Sequence, residues 1–176
     1  MKITVYCSAS DGCNIDFIRA AEELGRWIGT NGHSLIFGAS YTGLMGTVCN
    51  AALDAGAEVT GVVPDIPYIS ARKSTNLSNT IYTSSMAERK TVMMDLADCF
   101  IVLPGGPGTL DELSEILCLR SIGTTDKPII LYNVNGFYDG FSAFLQTMVD
   151  NGVAKSSIHS LFRLIRSTEE LNSLLA

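Results

Sequence analysis

The chain has 176 residues, of which 47% are hydrophobic and 17% charged, and its net charge is −6. That balance suits one compact globular domain and excludes a disordered chain. The acidic charge argues against a nucleic-acid surface, which takes a basic stripe, and no apolar run reaches the ~18 residues of a membrane span.

The first element expected is a strand at "KITVYC" (2–7), too short and too strand-like to be a signal peptide. An amphipathic stretch over 14–30 follows, with Ile15, Ile18, Ala21, Leu24 and Ile28 at helical spacing. "SLIFG" (34–38) reads as a second strand and 43–55 as a helix opened by glycines. "EVTGVV" (58–63) is a third strand, stopped by Pro64 and Pro67. A polar segment over 70–79 leads into the strand "TIYTS" (80–84). Ser85 then caps a helix that runs to about residue 98. "CFIVLP" (99–104) is the most continuous apolar run, as expected of a parallel strand covered on both faces. A helix to about residue 121, a strand at 127–133 and a helix over 137–151 come next. A strand-like "FRLIRS" and a capped helix "STEELNSLL" close the chain.

Strands and helices alternate with short connections, so the fold class expected is α/β, a doubly wound, Rossmann-like parallel sheet in a single domain spanning 1–176. Ligands of such sheets collect at the C-terminal strand ends. Three of those ends are rich in small residues: "CSAS" (7–10), "FGASYTGLMG" (37–46) and "PGGPGT" (104–109). Together they are expected to form one phosphate site, with Ser8, Gly38 and Gly43 among its contacts, although close helix–strand packing accounts equally well for Gly43 and Gly46. Gly38 and Gly43 have P-loop spacing, but Leu44 and Met45 stand where Lys and Ser/Thr belong, and GxGxxG is absent. Cys7, Cys13, Cys49, Cys99 and Cys118 are odd in number with no CxxC pair, which suggests reduced thiols in a cytoplasm and no zinc site. His33 and His159 sit near no carboxylate or cysteine cluster, so no metal is expected.

The stretch from Leu103 to Glu112, "LPGGPGTLDE", supports two readings. Gly105, Gly106 and Gly108 let backbone approach an anion, with a hydroxyl from Thr109. Thr109-x-x-Glu112 is also the pattern of a capping box, the simpler reading of this stretch alone. Met86, Arg89, Met93 and Leu96 fall on one face of the helix after Ser85. An arginine in an apolar stripe is costly unless it meets an anion or reaches water. From that helix alone, a snorkelling Arg89 beside a solvated Lys90 is the simpler reading. Arg72–Lys73 reads as an exposed loop, and Asp111 and Glu115 as helix-face or helix-start charges.

On these motifs the chain resembles the Lonely Guy (LOG) family of phosphoribohydrolases, widely mislabelled as lysine decarboxylases. PGGxGTxxE is met by Pro104 to Glu112, and MHxRKxxM by Met86, Arg89, Lys90 and Met93. The resemblance covers nearly the whole chain. It implies cleavage of the N-glycosidic bond of a nucleoside 5′-monophosphate (AMP or a cytokinin riboside monophosphate) to free base and ribose 5-phosphate. It implies that Arg89 and Glu112 are the catalytic pair, and that Gly105, Gly106, Gly108 and Thr109 bind phosphate and ribose, with Met86 and Lys90 as further substrate contacts. It also implies a homodimer with the site near the subunit boundary and no cofactor. Three positions depart from the pattern: Ala87 for the histidine of MHxRK, Gly38-Ala39-Ser40 for three glycines, and Cys118-Leu119 for a threonine–tryptophan pair. Two rival readings share the fold or the old label. A non-enzymatic nucleotide or molybdenum-cofactor carrier would not need Glu112, and a decarboxylase would need pyridoxal phosphate on a lysine, for which Lys90 is the only tempting residue.

Overall fold

Each β-branched run becomes a strand of one sheet in the computed structural model, which describes residues 1–175. In chain order these are β1 (Lys2–Tyr6), β2 (Ser34–Phe37), β3 (Val59–Pro64), β4 (Asn79–Thr83), β5 (Cys99–Val102), β6 (Ile129–Tyr132) and β7 (Arg163–Ile165). The helices are α1 (Ile15–Thr30), α2 (Gly43–Asp54), α3 (Pro67–Ser70), α4 (Met86–Leu96), α5 (Pro107–Ser121), α6 (Asp139–Asp150) and α7 (Glu169–Leu174). The sheet order is β4-β3-β2-β1-β5-β6-β7, with every pairing parallel. The doubly wound α/β sheet read from the sequence is the observed one.

Register explains why the central strands are apolar without alternation. Val5 pairs with Phe37 and Ile101, and all three lie in the core under α1, α2 and α7. One residue back, Thr4 pairs with Ile36 and Phe100, which face the core under α4, α5 and α6. Successive side chains alternate between two covered faces, so both sets must be apolar. Thr4 is the polar exception, and its hydroxyl donates to the Met93 carbonyl at 3.0 Å, tying α4 to β1.

Chain order reverses between β1 and β5, so the loops after these two strands diverge and leave a crevice at their C-terminal ends. Helix α4 connects the edge strand β4 back to β5 and lies across β3 on the way, which carries Arg89 to that crevice.

Three local expectations are corrected. Between β3 and the polar segment lies a short helix that the sequence reading did not include, α3, begun by Pro67 at its first position, where a missing N–H costs nothing. The helix expected from residue 137 opens as a 3-10 turn over Val134–Gly136, and α6 proper starts at Asp139. In α7 no Ser or Thr hydroxyl caps the N-terminus. The Glu170 carboxylate accepts from the Arg166 and Ser167 N–H groups instead, at 2.8 and 3.2 Å.

Candidate active site

The three small-residue loops meet. Ser8 sits between the other two: its N–H donates to the Pro104 carbonyl at 3.2 Å, and its carbonyl accepts from Met45 N–H at 3.1 Å. Thr42 Oγ1 donates to the Ala9 carbonyl at 2.6 Å, closing the same lacing one residue on. These bonds draw the ends of β1, β2 and β5 around a cavity of about 300 Å³. Cys7 to Ser10, Gly38, Ser40 and Met45 line one side, and Gly106 to Thr109 with Glu112 line the other. Helix α5 starts here with no side-chain cap, so the Gly108 and Thr109 N–H groups are left for a ligand, whereas at the start of α2 the Met45 N–H is held by Ser8.

Arg89 and Glu112 form the buried pair in the wall of this cavity. Ser85 Oγ accepts from Glu88 N–H at 3.2 Å, the cap expected for α4, and one turn on Arg89 points inward. Its Nη1 donates to Glu112 Oε1 at 3.1 Å and its Nε to the Val62 carbonyl at 3.1 Å. Arg89 is 4% exposed and Glu112 5%. The snorkelling reading of Arg89 is therefore overturned: the guanidinium is buried and meets an anion. The capping-box reading fails as well. Helix α5 starts at Pro107 with Gly106 as its N-cap, so Thr109 is inside the first turn and Glu112 lies too far along to reach an orphan N–H.

Glycine is required where these groups pack. A Cβ at Gly38 would overlap the Arg89 guanidinium, and one at Gly105 would overlap Thr109 Oγ1. Gly43, at φ 59°, takes the left-handed conformation and abuts the Ala9–Ser10 backbone. Ala39, where the glycine-rich pattern has a second glycine, holds φ 66° despite its methyl group.

Burial pushes the Glu112 carboxyl up to about 7, although Arg89 pulls it the other way. Tyr6 and Cys7 are buried beside it, and both are held well above their ordinary values by burial and by the Glu112 charge. Cys7 therefore stays a neutral thiol at neutral pH and is no nucleophile. Lys90 does not line the cavity and bridges Asp111 at 3.0 Å and Glu115 at 2.9 Å. Those carboxylates raise its pKa, the opposite of what a Schiff-base lysine needs. Asp111 and Glu115, read as helix-face or helix-start charges, are the anchors of this bridge between α4 and α5. Among the described residues, no three His, Cys, Asp or Glu side chains come together to hold a metal ion.

Of the residues singled out in the sequence, Ser8, Gly38, Met86, Arg89, Gly106, Gly108, Thr109 and Glu112 line one cavity. Gly43 lines an adjoining cleft, Gly105 supports Thr109, and Lys90 is turned toward its two carboxylates. Sequence reasoning missed Tyr68, Ile69 and Arg72, which α3 and the residues after it bring to the cavity mouth. The proline at the start of α3 and the Tyr68–Arg72 spacing of four were the available signal. A second cavity, about 250 Å³, opens at the N-terminal ends of β6 and β7. It is lined by Arg120 and Arg163 with apolar neighbours and offers no carboxylate for acid–base work.

Comparison with known proteins gives the chain a context. The family model described as "possible lysine decarboxylase" matches residues 45–175. A cytokinin riboside 5′-monophosphate phosphoribohydrolase of Arabidopsis thaliana is 35% identical over 170 residues, 97% of this chain and 75% of that protein. The protein of the same name from Mycobacterium tuberculosis is 37% identical over 150 residues, 85% of this chain and 80% of that one. Among solved structures, the molybdenum cofactor binding protein of Rippkaea orientalis superposes with a TM-score of 0.76 at 21% identity, covering 99% of this chain and 94% of that chain. The last likeness is one of fold.

Proposed function

We propose hydrolysis of the N-glycosidic bond of a nucleoside 5′-monophosphate as the activity of this chain, which belongs to the LOG family of phosphoribohydrolases. The observation that carries the reading is the buried Arg89–Glu112 pair in the wall of a glycine-lined cavity. A carrier has no use for a carboxylate whose pKa is held near neutrality, whereas a hydrolase does.

The backbone N–H groups of Gly106, Gly108 and Thr109 hold the phosphate, which fixes the ribose and makes the reaction effectively intramolecular. As the C1′–N bond breaks, its electron pair leaves with the base and positive charge develops on C1′. The Glu112 carboxylate stabilises that charge and takes a proton from the attacking water, whose oxygen bonds to C1′. The proton ends on the released base, so the products are free base and ribose 5-phosphate. Arg89 has Nε and Nη1 engaged within the protein, and its part is to orient Glu112 and keep a fraction of it ionised.

The test is incubation with AMP and with isopentenyladenosine monophosphate, followed by quantification of base and ribose 5-phosphate. Release of both products at equal rates is expected. Intact nucleotide after prolonged incubation would sink the hydrolase reading. No helix among the described residues is long and apolar enough to cross a membrane, and the cytoplasm, with its reduced thiols, is the compartment proposed.

A homodimer is proposed for the active state. Met93 is fully buried in the core and cannot serve an interface, but Met86 and Met94 are half-buried. Leu110 in α5 is 41% exposed, and Ile122, the residue that caps its C-terminus, 69%. Sedimentation at micromolar concentration is expected to give twice the chain mass, and a fully active monomer would refute the dimer.

A further inference from the structure

We infer that Arg72 is the cation that reads the phosphate of the substrate, an inference that rests on the monophosphate reading above. Four charged side chains line the cavity: Arg72, Arg89, Asp111 and Glu112. Arg89 is paired with Glu112, and Asp111 shares Lys90 with Glu115. Arg72 has no carboxylate within ion-pair distance among the described residues, so it is the one charged side chain lining the cavity that has no ion-pair partner, and it is positive. In a chain of net charge −6 such a cation is what an anionic ligand needs.

Its placement is built in. The backbone around Arg72 is stitched to the β2 loop: Tyr41 N–H donates to the Arg72 carbonyl at 2.9 Å, and Ser74 N–H to the Ala39 carbonyl at 2.7 Å. These bonds make an antiparallel bridge between Ser40 and Lys73. Neighbours along an extended segment face opposite ways. Arg72 accordingly lines the cavity, while Lys73 turns to Tyr82, whose hydroxyl lies 2.6 Å from its Nζ. The Arg72 guanidinium stacks on the Tyr68 ring, 5.1 Å from its centroid, and its Nη1 donates to the Tyr68 hydroxyl at 2.8 Å. Stacking leaves the remaining N–H groups of the fork free for a planar array of phosphate oxygens.

The test is direct binding of AMP, ribose 5-phosphate and adenosine to the parent protein and to Arg72→Ala. Because the anchoring bonds are made by backbone, the variant is expected to fold with an unchanged melting temperature. AMP and ribose 5-phosphate should bind roughly 10- to 100-fold more weakly to Arg72→Ala, with adenosine unchanged. The salt dependence of AMP binding should also flatten. Equal weakening of adenosine and AMP would mean that the guanidinium meets the base, and would overturn the inference. So would unchanged binding of all three ligands. A parent protein that binds AMP through Arg72 but never hydrolyses it would leave this inference standing and sink the proposed activity. A parent that binds neither phosphate ligand would end both.

Discussion

Replacing Glu112 by glutamine is expected to lower turnover about a hundredfold or more, equivalent to about 2.7 kcal/mol of transition-state stabilisation, while AMP still binds. Glutamine keeps an oxygen that can accept from Arg89 Nη1 but carries no charge to oppose a developing oxocarbenium ion. The effect should therefore fall on kcat, with Kd measured directly and little changed. A carrier would give the opposite pattern, with no turnover in the parent and no functional loss in the variant. Parent-like hydrolysis by Glu112→Gln would remove the carboxylate from the mechanism.

The same residue sets a pH profile. Burial raises the Glu112 carboxyl to about 7, so below that pH the folded protein holds it protonated and inactive. For AMP, kcat/KM should rise with pH and level off above about 7, falling about tenfold per unit on the acid side. A flat profile from pH 5 to 8 would show that the ionised carboxylate is not required.

The second large effect is on stability. Arg89 and Glu112 are an almost fully buried ion pair, and removing one partner leaves the other charge uncompensated. Arg89→Met is expected to cost about 3–5 kcal/mol at pH 8, measured by urea unfolding, and to abolish turnover. Without the guanidinium, the Glu112 pKa rises further above its unfolded value. Between those two values the folded state holds a proton that the unfolded chain has released. Stability is therefore lost as pH rises through that window, and because the parent carboxyl itself titrates at about 7, the variant's deficit should be only about 1.4 kcal/mol smaller near pH 4 than at pH 8. Arg89→Met combined with Glu112→Leu should recover most of the loss at pH 8, because an apolar pair needs no desolvation of charge, yet remain inactive. If Arg89→Met alone is as stable as the parent at pH 8, the pair is not held as tightly as its geometry implies.

How much of this was legible in the sequence differs from element to element. Periodicity alone yields the order of strands and helices, because a strand buried on two faces must be apolar throughout and a surface helix must repeat near 3.6 residues. Those rules act within a few residues, which is why Ser85 was readable as a helix cap and the three small-residue loops as strand ends. The family motifs pointed to Arg89 and Glu112. Neither residue could be assigned by local reasoning, since an arginine on an apolar stripe and a Thr-x-x-Glu repeat each have a commoner explanation. What decided them was a contact between residues 23 apart in sequence, made because α4 crosses the sheet from β4 to β5. Arg72 shows the limit more sharply. It sits in a polar segment indistinguishable from a solvated loop, and only the bridge to the Ser40 loop turns it into the cavity while sending Lys73 away. The chain by itself determines which segments are strands and helices and where backbone can approach an anion. Which charges are paired, which is left over and what burial does to the Glu112 proton depend on desolvation and long-range contact, and those exist only once the sheet has closed.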